Sequence, residues 1–147
     1  MTLQRVAGNR TGEDSDDLMA WLKGLEGCPT ISAAVLARCA NEVHGDDRPT
    51  WFYVEGDAQS GLARRRCLAC GLVVHLLDSE SHWTHPPMHC CGTCGQSMFE
   101  LAVGLHIEDA IVDWLAVGLR CVGCGCLEGL TDMNVEGLTY DEVAARV

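Results

Sequence analysis

The 147-residue chain has little of what marks a membrane protein, a secreted protein or a nucleic-acid-binding protein. No stretch reaches 18 uncharged apolar residues, so we expect no transmembrane helix. The N-terminal segment has no apolar run typical of a signal peptide, and this favours a cytoplasmic location. Only 10 residues are Lys or Arg against 21 Asp or Glu. The resulting net charge of −11 repels phosphate backbones, so nucleic acid is not expected as the main ligand.

The common catalytic signatures are also missing from the sequence. It contains no P-loop, no G-x-G-x-x-G that opens a helix and no G-x-S-x-G. Neither the H-E-x-x-H of zinc proteases nor the H-x-E…P-C-x-x-C of zinc deaminases occurs. We therefore predict no catalytic residue, and an enzyme that uses zinc or a thiol remains an alternative.

Cysteine, by contrast, is abundant: the chain has 10, and three pairs share one C-x-x-C-G pattern, here called knuckles 1 to 3. In a reducing cytoplasm paired cysteines more often hold a metal than form disulfides. Two such knuckles can provide the four thiolates of a tetrahedral zinc site. The three knuckles are Cys67-Leu68-Ala69-Cys70-Gly71, Cys91-Gly92-Thr93-Cys94-Gly95 and Cys121-Val122-Gly123-Cys124-Gly125.

Eight cysteines lie between positions 67 and 126, which is the number that two Cys₄ sites require. We predict one or two Zn²⁺ ions per chain and leave open which knuckles pair. His89, His82 or His85 could replace a cysteine ligand, although these histidines also suit an exposed, proline-stiffened loop. Cys28 and Cys39 are interpreted as small buried apolar residues. The eight predicted ligands are Cys67, Cys70, Cys90, Cys91, Cys94, Cys121, Cys124 and Cys126.

Hairpin geometry predicts that the knuckles lie near one another. A two-residue turn at Glu108-Asp109 would pair Ile107 with Ala110 and bring knuckles 2 and 3 to the same end of a hairpin. A loop at 78–81 would fold segment 72–77 against 83–89 and bring knuckle 1 near Cys90. The glycine after each knuckle suits a tight turn with positive φ.

The predicted fold class is α+β: an N-terminal helical hairpin on a small antiparallel sheet of zinc-ribbon type. We expect a disordered tail at 1–13, a helical hairpin at 14–45, a β domain at 50–135 and a C-terminal helix at 137–147. An apolar stripe, Leu18–Trp21–Leu22–Leu25, predicts the first helix, and Ile31, Val35, Leu36, Cys39 and Val43 predict the second. Thr139 and Glu142 form a capping-box pair before the last helix. Arg64–Arg66 is interpreted as a solvated strand face or as a contact for an anion or an acidic partner.

Residues 62–126 resemble the zinc-ribbon superfamily through the sequences C-L-A-C-G, C-G-T-C-G and C-V-G-C-G. The resemblance implies a structural metal and, by analogy, a non-catalytic protein-interaction module, such as a regulator that docks on transcription or translation machinery. The acidic charge suggests a protein partner with a basic surface, such as a large assembly. Rubredoxins are similar in having two C-x-x-C-G knuckles on an acidic chain, so an iron electron carrier is an alternative.

Overall fold

The computed structural model describes residues 10–147 of the chain. Within this range most residues belong to one antiparallel sheet, with a helix near each end of the chain. The elements are α1 Ser15–Lys23, β1 Ala33–Leu36, β2 Phe52–Asp57, β3 Leu62–Cys67, β4 Val73–His75, β5 Met98–Glu108, β6 Ile111–Cys121, β7 Leu127–Thr139 and α2 Tyr140–Ala144, with 3₁₀ helices at Glu42–His44 and Ser79–His82.

The predicted fold class was wrong, because the fold is mostly β and has no helical hairpin in residues 10–147. The first predicted helix forms as α1, where the Asp14 side chain accepts a hydrogen bond from the Asp17 amide and Gly24 ends the helix. The second does not form, and β1 and a 3₁₀ helix occupy its place. Val35 and Cys39 are four residues apart, a spacing that a strand with a period of two satisfies as well as a helix does.

The N-terminal segment pairs with the sheet as soon as the described chain begins. Thr11 forms an antiparallel bridge with Cys126, and the Leu127 amide donates to the Arg10 carbonyl at 2.9 Å. The rest of the predicted disordered tail, residues 1–9, lies outside the described residues.

The sheet has the strand order β4-β3-β2-β5-β6-β7, and β1 also pairs with β5. The long β5–β6 hairpin turns at Asp109-Ala110, both with positive φ, and not at the predicted Glu108-Asp109. Its register therefore differs from the prediction, and Cys121 pairs with Phe99. The strand β7 was not predicted, because its glycines and acidic residues are poor strand formers.

Alternating side chains of β5 and β6 face two cores. Large apolar residues on one face, among them Leu101, Leu115 and Leu119, enter the larger core. On the other face α1 packs through Leu18 and Leu22 against small residues such as Ala102 and Ala116. We call the second cluster the helix-side core; its buried members are Leu18, Leu22, Ile31, Ala102, Trp114, Ala116 and Leu127.

The sheet curls so that β7 approaches β2 across the larger core. The Thr131 hydroxyl donates to the Asp57 carbonyl at 3.2 Å, and Leu130 lies against Gly56. A buried pair, His89 Nε2 and Glu128 Oε1 at 2.9 Å, joins β7 to the segment before knuckle 2. These contacts enclose the larger core on one face of the sheet, while α1 covers the other face.

At the C-terminal end of the described chain, α2 follows β7 directly. The Thr139 hydroxyl accepts from the Glu142 amide while the Glu142 carboxylate accepts from the Thr139 amide, so the predicted capping box is confirmed. Among residues 10–147 no helix combines the length and apolar character that crossing a membrane would require.

Strand register places all three knuckles at one end of the sheet. A row of paired residues runs across four strands, from Cys67 to Phe52, to Phe99 and to Cys121. Three strand spacings separate the two cysteines, which corresponds to about 14 Å. Knuckles 1 and 3 are therefore too far apart to share one metal ion.

Candidate metal centres

The three knuckles share one backbone conformation. In each, the amide of the first cysteine donates to the carbonyl five residues later, at 2.7 to 3.0 Å. The amide of the following glycine donates back to the carbonyl of the first cysteine, at 2.8 or 2.9 Å. Gly71, Gly95 and Gly125 all have φ between 77° and 79°, as predicted for a left-handed turn.

Knuckles 2 and 3 meet to form one of two candidate centres. We call it site 2, and its members are Cys91, Cys94, Cys121 and Cys124. All four sulfur atoms lie within 4.8 Å of one another. The Cys91–Cys124 and Cys94–Cys121 Sγ–Sγ distances are 3.6 and 3.4 Å. The β5–β6 hairpin positions both knuckles, since one precedes β5 and the other ends β6.

Knuckle 1 combines with residues from the segment that follows β1, forming site 1: Cys39, His44, Cys67 and Cys70. The Cys39 and Cys70 sulfur atoms are 3.6 Å apart, and the Cys67 sulfur is 3.7 Å from His44 Nε2. The Asn41 side chain also donates from Nδ2 to the Cys70 sulfur at 3.4 Å. His44 ends the short 3₁₀ helix that follows Asn41.

These distances fit tetrahedral coordination. A zinc ion with Zn–S bonds of ~2.3 Å places its sulfur ligands about 3.8 Å apart, and a sulfur and an imidazole nitrogen about 3.5 Å apart. The observed distances of 3.4 to 3.7 Å lie close to both values. They are much longer than the ~2.05 Å of a disulfide bond. Both sites can therefore hold a metal ion such as zinc.

Backbone amides favour the thiolate form at one sulfur of each site. The Leu72 amide is the main cause that lowers the pKa of Cys70 to about 6. Burial opposes ionisation of Cys91, but hydrogen bonds from the Cys94 and Thr93 amides outweigh it and lower its pKa to about 7.

Ionisation of a second thiol within site 2 is unfavourable when no metal is bound. Burial and the neighbouring sulfur atoms raise the pKa of Cys124 to about 12 despite a hydrogen bond from the Cys126 amide. A cation would remove this penalty, because a thiolate that binds a metal is deprotonated outright.

Sequence reasoning missed two of the eight clustered residues. Cys39 was interpreted as an apolar core residue, and it is fully buried, but its sulfur faces knuckle 1. His44 lies near the end of the predicted helical hairpin at 14–45 and was not among the predicted ligands. Their Cys-x₄-His spacing, which resembles the ligand spacings of zinc sites, was the signal available.

Of the eight cysteines predicted as ligands, six lie in the two sites and two do not. Cys90 is exposed, with its sulfur 4.0 Å from the Met88 carbonyl. Cys126 is buried beside site 2, where its sulfur accepts a hydrogen bond from the Thr93 hydroxyl at 3.5 Å. The predicted approach of knuckle 1 to Cys90 does not occur, since β4 pairs with β3 and segment 88–89 bonds to β2.

The candidate histidine ligands of the proline-containing loop belong to neither site. His89 is paired with Glu128, and His82 lies 3.9 Å from the exposed Asp78 carboxylate. His85 is exposed and has positive φ.

The arginine run 64–66 is divided between pairing, burial and exposure. Arg64 makes two hydrogen bonds to Glu55 and lies over the Trp83 ring. Arg65 is 4% exposed and donates to backbone carbonyls, while Arg66 is exposed. No continuous basic surface forms along this run.

A third group of metal-compatible side chains lies at the tip of the β5–β6 hairpin: His106, Glu108 and Asp113. His106 donates from Nδ1 to the Thr30 carbonyl at 2.7 Å, and Nε2 lies 3.7 and 3.9 Å from the two carboxylates. Both carboxylates are at least half exposed, so we interpret the group as surface ion pairs.

No protein-family model matches the chain, and no curated protein and no solved structure is significantly similar to it. The interpretation of the two sites therefore rests on their geometry.

Proposed function

We propose that this protein is a non-catalytic binding protein whose sheet is held together by two zinc ions, one in each site. The observation that carries this proposal is the convergence of two separate sets of four donor atoms, each within 4.8 Å. Each set includes residues far apart in sequence, such as Cys39 and Cys67. Packing of the apolar core alone would not require the sulfur atoms of such residues to point toward one another.

The donor sets support structural zinc over the alternatives. Four protein donors fill a tetrahedron, whereas a catalytic zinc keeps a position open for water. Site 1 contains a histidine with three cysteines, which is a zinc-type set and differs from the four thiolates of rubredoxin. The filled tetrahedra weigh against a metalloenzyme, and the histidine weighs against an iron electron carrier at site 1. The four thiolates of site 2 suit zinc or iron, and elemental analysis distinguishes the two metals.

A binding role is supported by the apolar residues exposed around site 1. Val43, Trp51 and Leu72 are 74, 49 and 40% exposed, and each lies near a site 1 ligand in sequence or by backbone contact. The Leu68 amide, inside knuckle 1, donates to the Trp51 carbonyl at 3.2 Å. We propose this end of the sheet as the recognition surface. The identity of the partner stays a prediction. A basic surface on transcription or translation machinery is suggested only by the net charge of the chain and by analogy.

Native mass spectrometry with elemental analysis tests the metal content. We expect two zinc ions per chain, one lost in the Cys39→Ser variant and the other lost in Cys94→Ser. Iron in place of zinc, or a single zinc that neither substitution removes, would refute the proposal.

Adjacent cysteines offer a matched control for this experiment. Cys91→Ser removes a buried site 2 donor, and we expect it to abolish one zinc and to lower the melting temperature. Cys90→Ser changes an exposed side chain one residue earlier and should retain both ions. Equal zinc content in the two variants would show that the site 2 assignment is wrong.

A further inference from the structure

A cavity of about 430 Å³ lies next to site 1. Its lining comes from two parts of the chain: Arg38 with segment 47–51, and the knuckle 1 residues Leu68 and Ala69. The same two parts provide the ligands of site 1, because Cys39 and His44 lie in the first and Cys67 and Cys70 flank the second. A metal in site 1 would therefore clamp the two walls of the cavity together.

Without that metal, the loop between Arg38 and Asp47 has few contacts of its own. The 3₁₀ helix in this loop, which carries His44, has no buried residue. Apart from site 1, the loop reaches knuckle 1 through the Asn41 side-chain amide, which donates to the Cys70 sulfur at 3.4 Å. The ends of the first wall are held independently, since Arg65 donates to the Arg38 carbonyl and the Leu68 amide donates to the Trp51 carbonyl. The position of this loop, and with it the distance between Arg38 and Arg48, should therefore depend on site 1 and not on site 2.

The side chains of the cavity combine positive charge with an exposed aromatic ring. Arg38 and Arg48 are exposed, and within residues 10–147 neither forms an ion pair with a carboxylate. Asp47 also lines the cavity, which leaves a local charge of +1 in a chain of net charge −11. Trp51 is half exposed in the same lining.

We infer that this cavity binds a mononucleotide, with the base stacked on Trp51 and the phosphate held by Arg38 and Arg48. Guanidinium groups match phosphate oxygens, and tryptophan stacks on any base. The volume is within the range of small-molecule sites. The acidic surface outside the cavity disfavours a long polyanion, since it would repel every phosphate beyond the first contacts. This inference rests on the proposed metal in site 1.

Isothermal titration of the zinc-loaded full chain with adenosine 5′-monophosphate tests the inference. We expect saturable binding with a dissociation constant below about 1 mM. In a two-dimensional NMR spectrum the Trp51 indole signal should shift. Adenosine and ribose 5-phosphate, titrated separately, should each bind at least ~10-fold more weakly, because each lacks one of the two contacts. No binding of the nucleotide, or equal binding of ribose 5-phosphate, would overturn the inference.

Matched variants separate the specific contacts from net charge. Arg38→Ala with Arg48→Ala should weaken binding at least ~10-fold. Arg66→Ala with Arg146→Ala removes the same charge from exposed positions outside the cavity and should change the nucleotide affinity little. Trp51→Leu should weaken binding, while Trp51→Phe should retain most of it. Equal effects of the two arginine pairs would overturn the assigned contacts.

The metal dependence distinguishes this inference from the proposed function. His44→Ala should reduce the zinc count by one and abolish nucleotide binding while circular dichroism shows a folded sheet. Two zinc ions in the unmodified protein without nucleotide binding would refute the cavity inference alone. Only one zinc ion, unaffected by Cys39→Ser, would refute the site 1 proposal, and nucleotide binding that persists in His44→Ala would refute the clamp.

Discussion

At the scale of single residues, chemical environment separates cysteines that are neighbours in sequence. Cys90 and Cys91 are adjacent, yet one is exposed and the other is buried among three further donors of site 2. Conversely, Cys39 lies outside the cysteine-rich region but joins knuckle 1. Residue type therefore identifies candidate ligands, and the direction in which each side chain points decides which of them meet.

His106 offers a residue-scale prediction about pH. The hydrogen bond to the Thr30 carbonyl, aided by the carboxylates of Asp113 and Glu108, raises the pKa of His106 above its ordinary value near ~6.5. The protonated form is therefore favoured by folding. Its contribution to stability is fully present below pH ~6.5 and is lost as the pH rises through the folded-state pKa.

Comparison of the unmodified protein with His106→Gln measures this contribution. We expect the variant to be less stable at mildly acidic pH, by a few tenths of a kcal/mol given the exposed carboxylates, and the difference to disappear above neutral pH. NMR titration should give a His106 pKa above the unfolded value, and Glu108→Gln with Asp113→Asn should lower it. A His106 pKa at or below ~6.5 would contradict the assignment.

At the scale of secondary-structure elements, the close packing of α1 depends on small residues in the strands beneath it. A Cβ atom added to Gly118 would lie 2.8 Å from Leu22 Cδ2 and 3.1 Å from its Cγ. Leu22 is fully buried, so its side chain has no solvent-facing space into which to move. Glycine at position 118 is thus required for the approach of helix to sheet.

Gly118→Ala should therefore destabilise the protein by about 1–3 kcal/mol, measured by urea unfolding. Leu22→Ala alone should cost about 2–5 kcal/mol, because it leaves a cavity in the helix-side core. In the double variant the new methyl group occupies part of that cavity. The loss of unfolding free energy in the double variant should therefore be smaller than the sum of the losses in the two single variants. Gly24→Ala provides a control at the end of α1, where an added Cβ has its nearest neighbour at 3.6 Å. Strict additivity would contradict the packing described for this pair.

At the scale of the whole molecule, site 1 lies where strand pairing joins two parts of the sheet weakly. The strands β2 and β5 pair through two residue pairs, Phe52–Phe99 and Tyr53–Met98, at the end of the sheet where the knuckles lie. With a metal bound, site 1 would attach the segment after β1, a strand that pairs with β5, to the end of β3. Site 2 would instead close the base of the β5–β6 hairpin, which ten residue pairs already join.

Removal of both metals should unfold the chain. Small zinc-finger peptides gain about 10–16 kcal/mol from one zinc. This chain also has an extensive apolar core, so we expect the loss of one ion to destabilise the fold and the loss of both to exceed the ~5–15 kcal/mol by which a domain is stable. We expect chelation to abolish the cooperative thermal transition seen by circular dichroism, and readdition of zinc to restore it. Hydrogen exchange should then show loss of protection in all strands from β1 to β7. An unchanged melting curve after verified metal removal would contradict the structural role.

The sequence by itself determined the features whose causes are local. Each knuckle is closed by hydrogen bonds within six residues and by one glycine, and α1 and the α2 capping box follow from side chains within one or two turns. The hairpin predicted around position 108 also forms, with its turn one residue further along the chain.

Only the tertiary structure decided which knuckles meet and what completes the remaining one. The pairing depends on a register that shifts by whole residues with the position of one turn, here Asp109-Ala110 in place of Glu108-Asp109. Within the predicted second helix, Ala33–Leu36 forms a strand because β5 offers a free edge to it, although the apolar spacing of this segment also fits a helix. That strand brings Cys39 and His44 to knuckle 1, and such long-range convergence depends on the packing of the whole sheet, which no local pattern encodes.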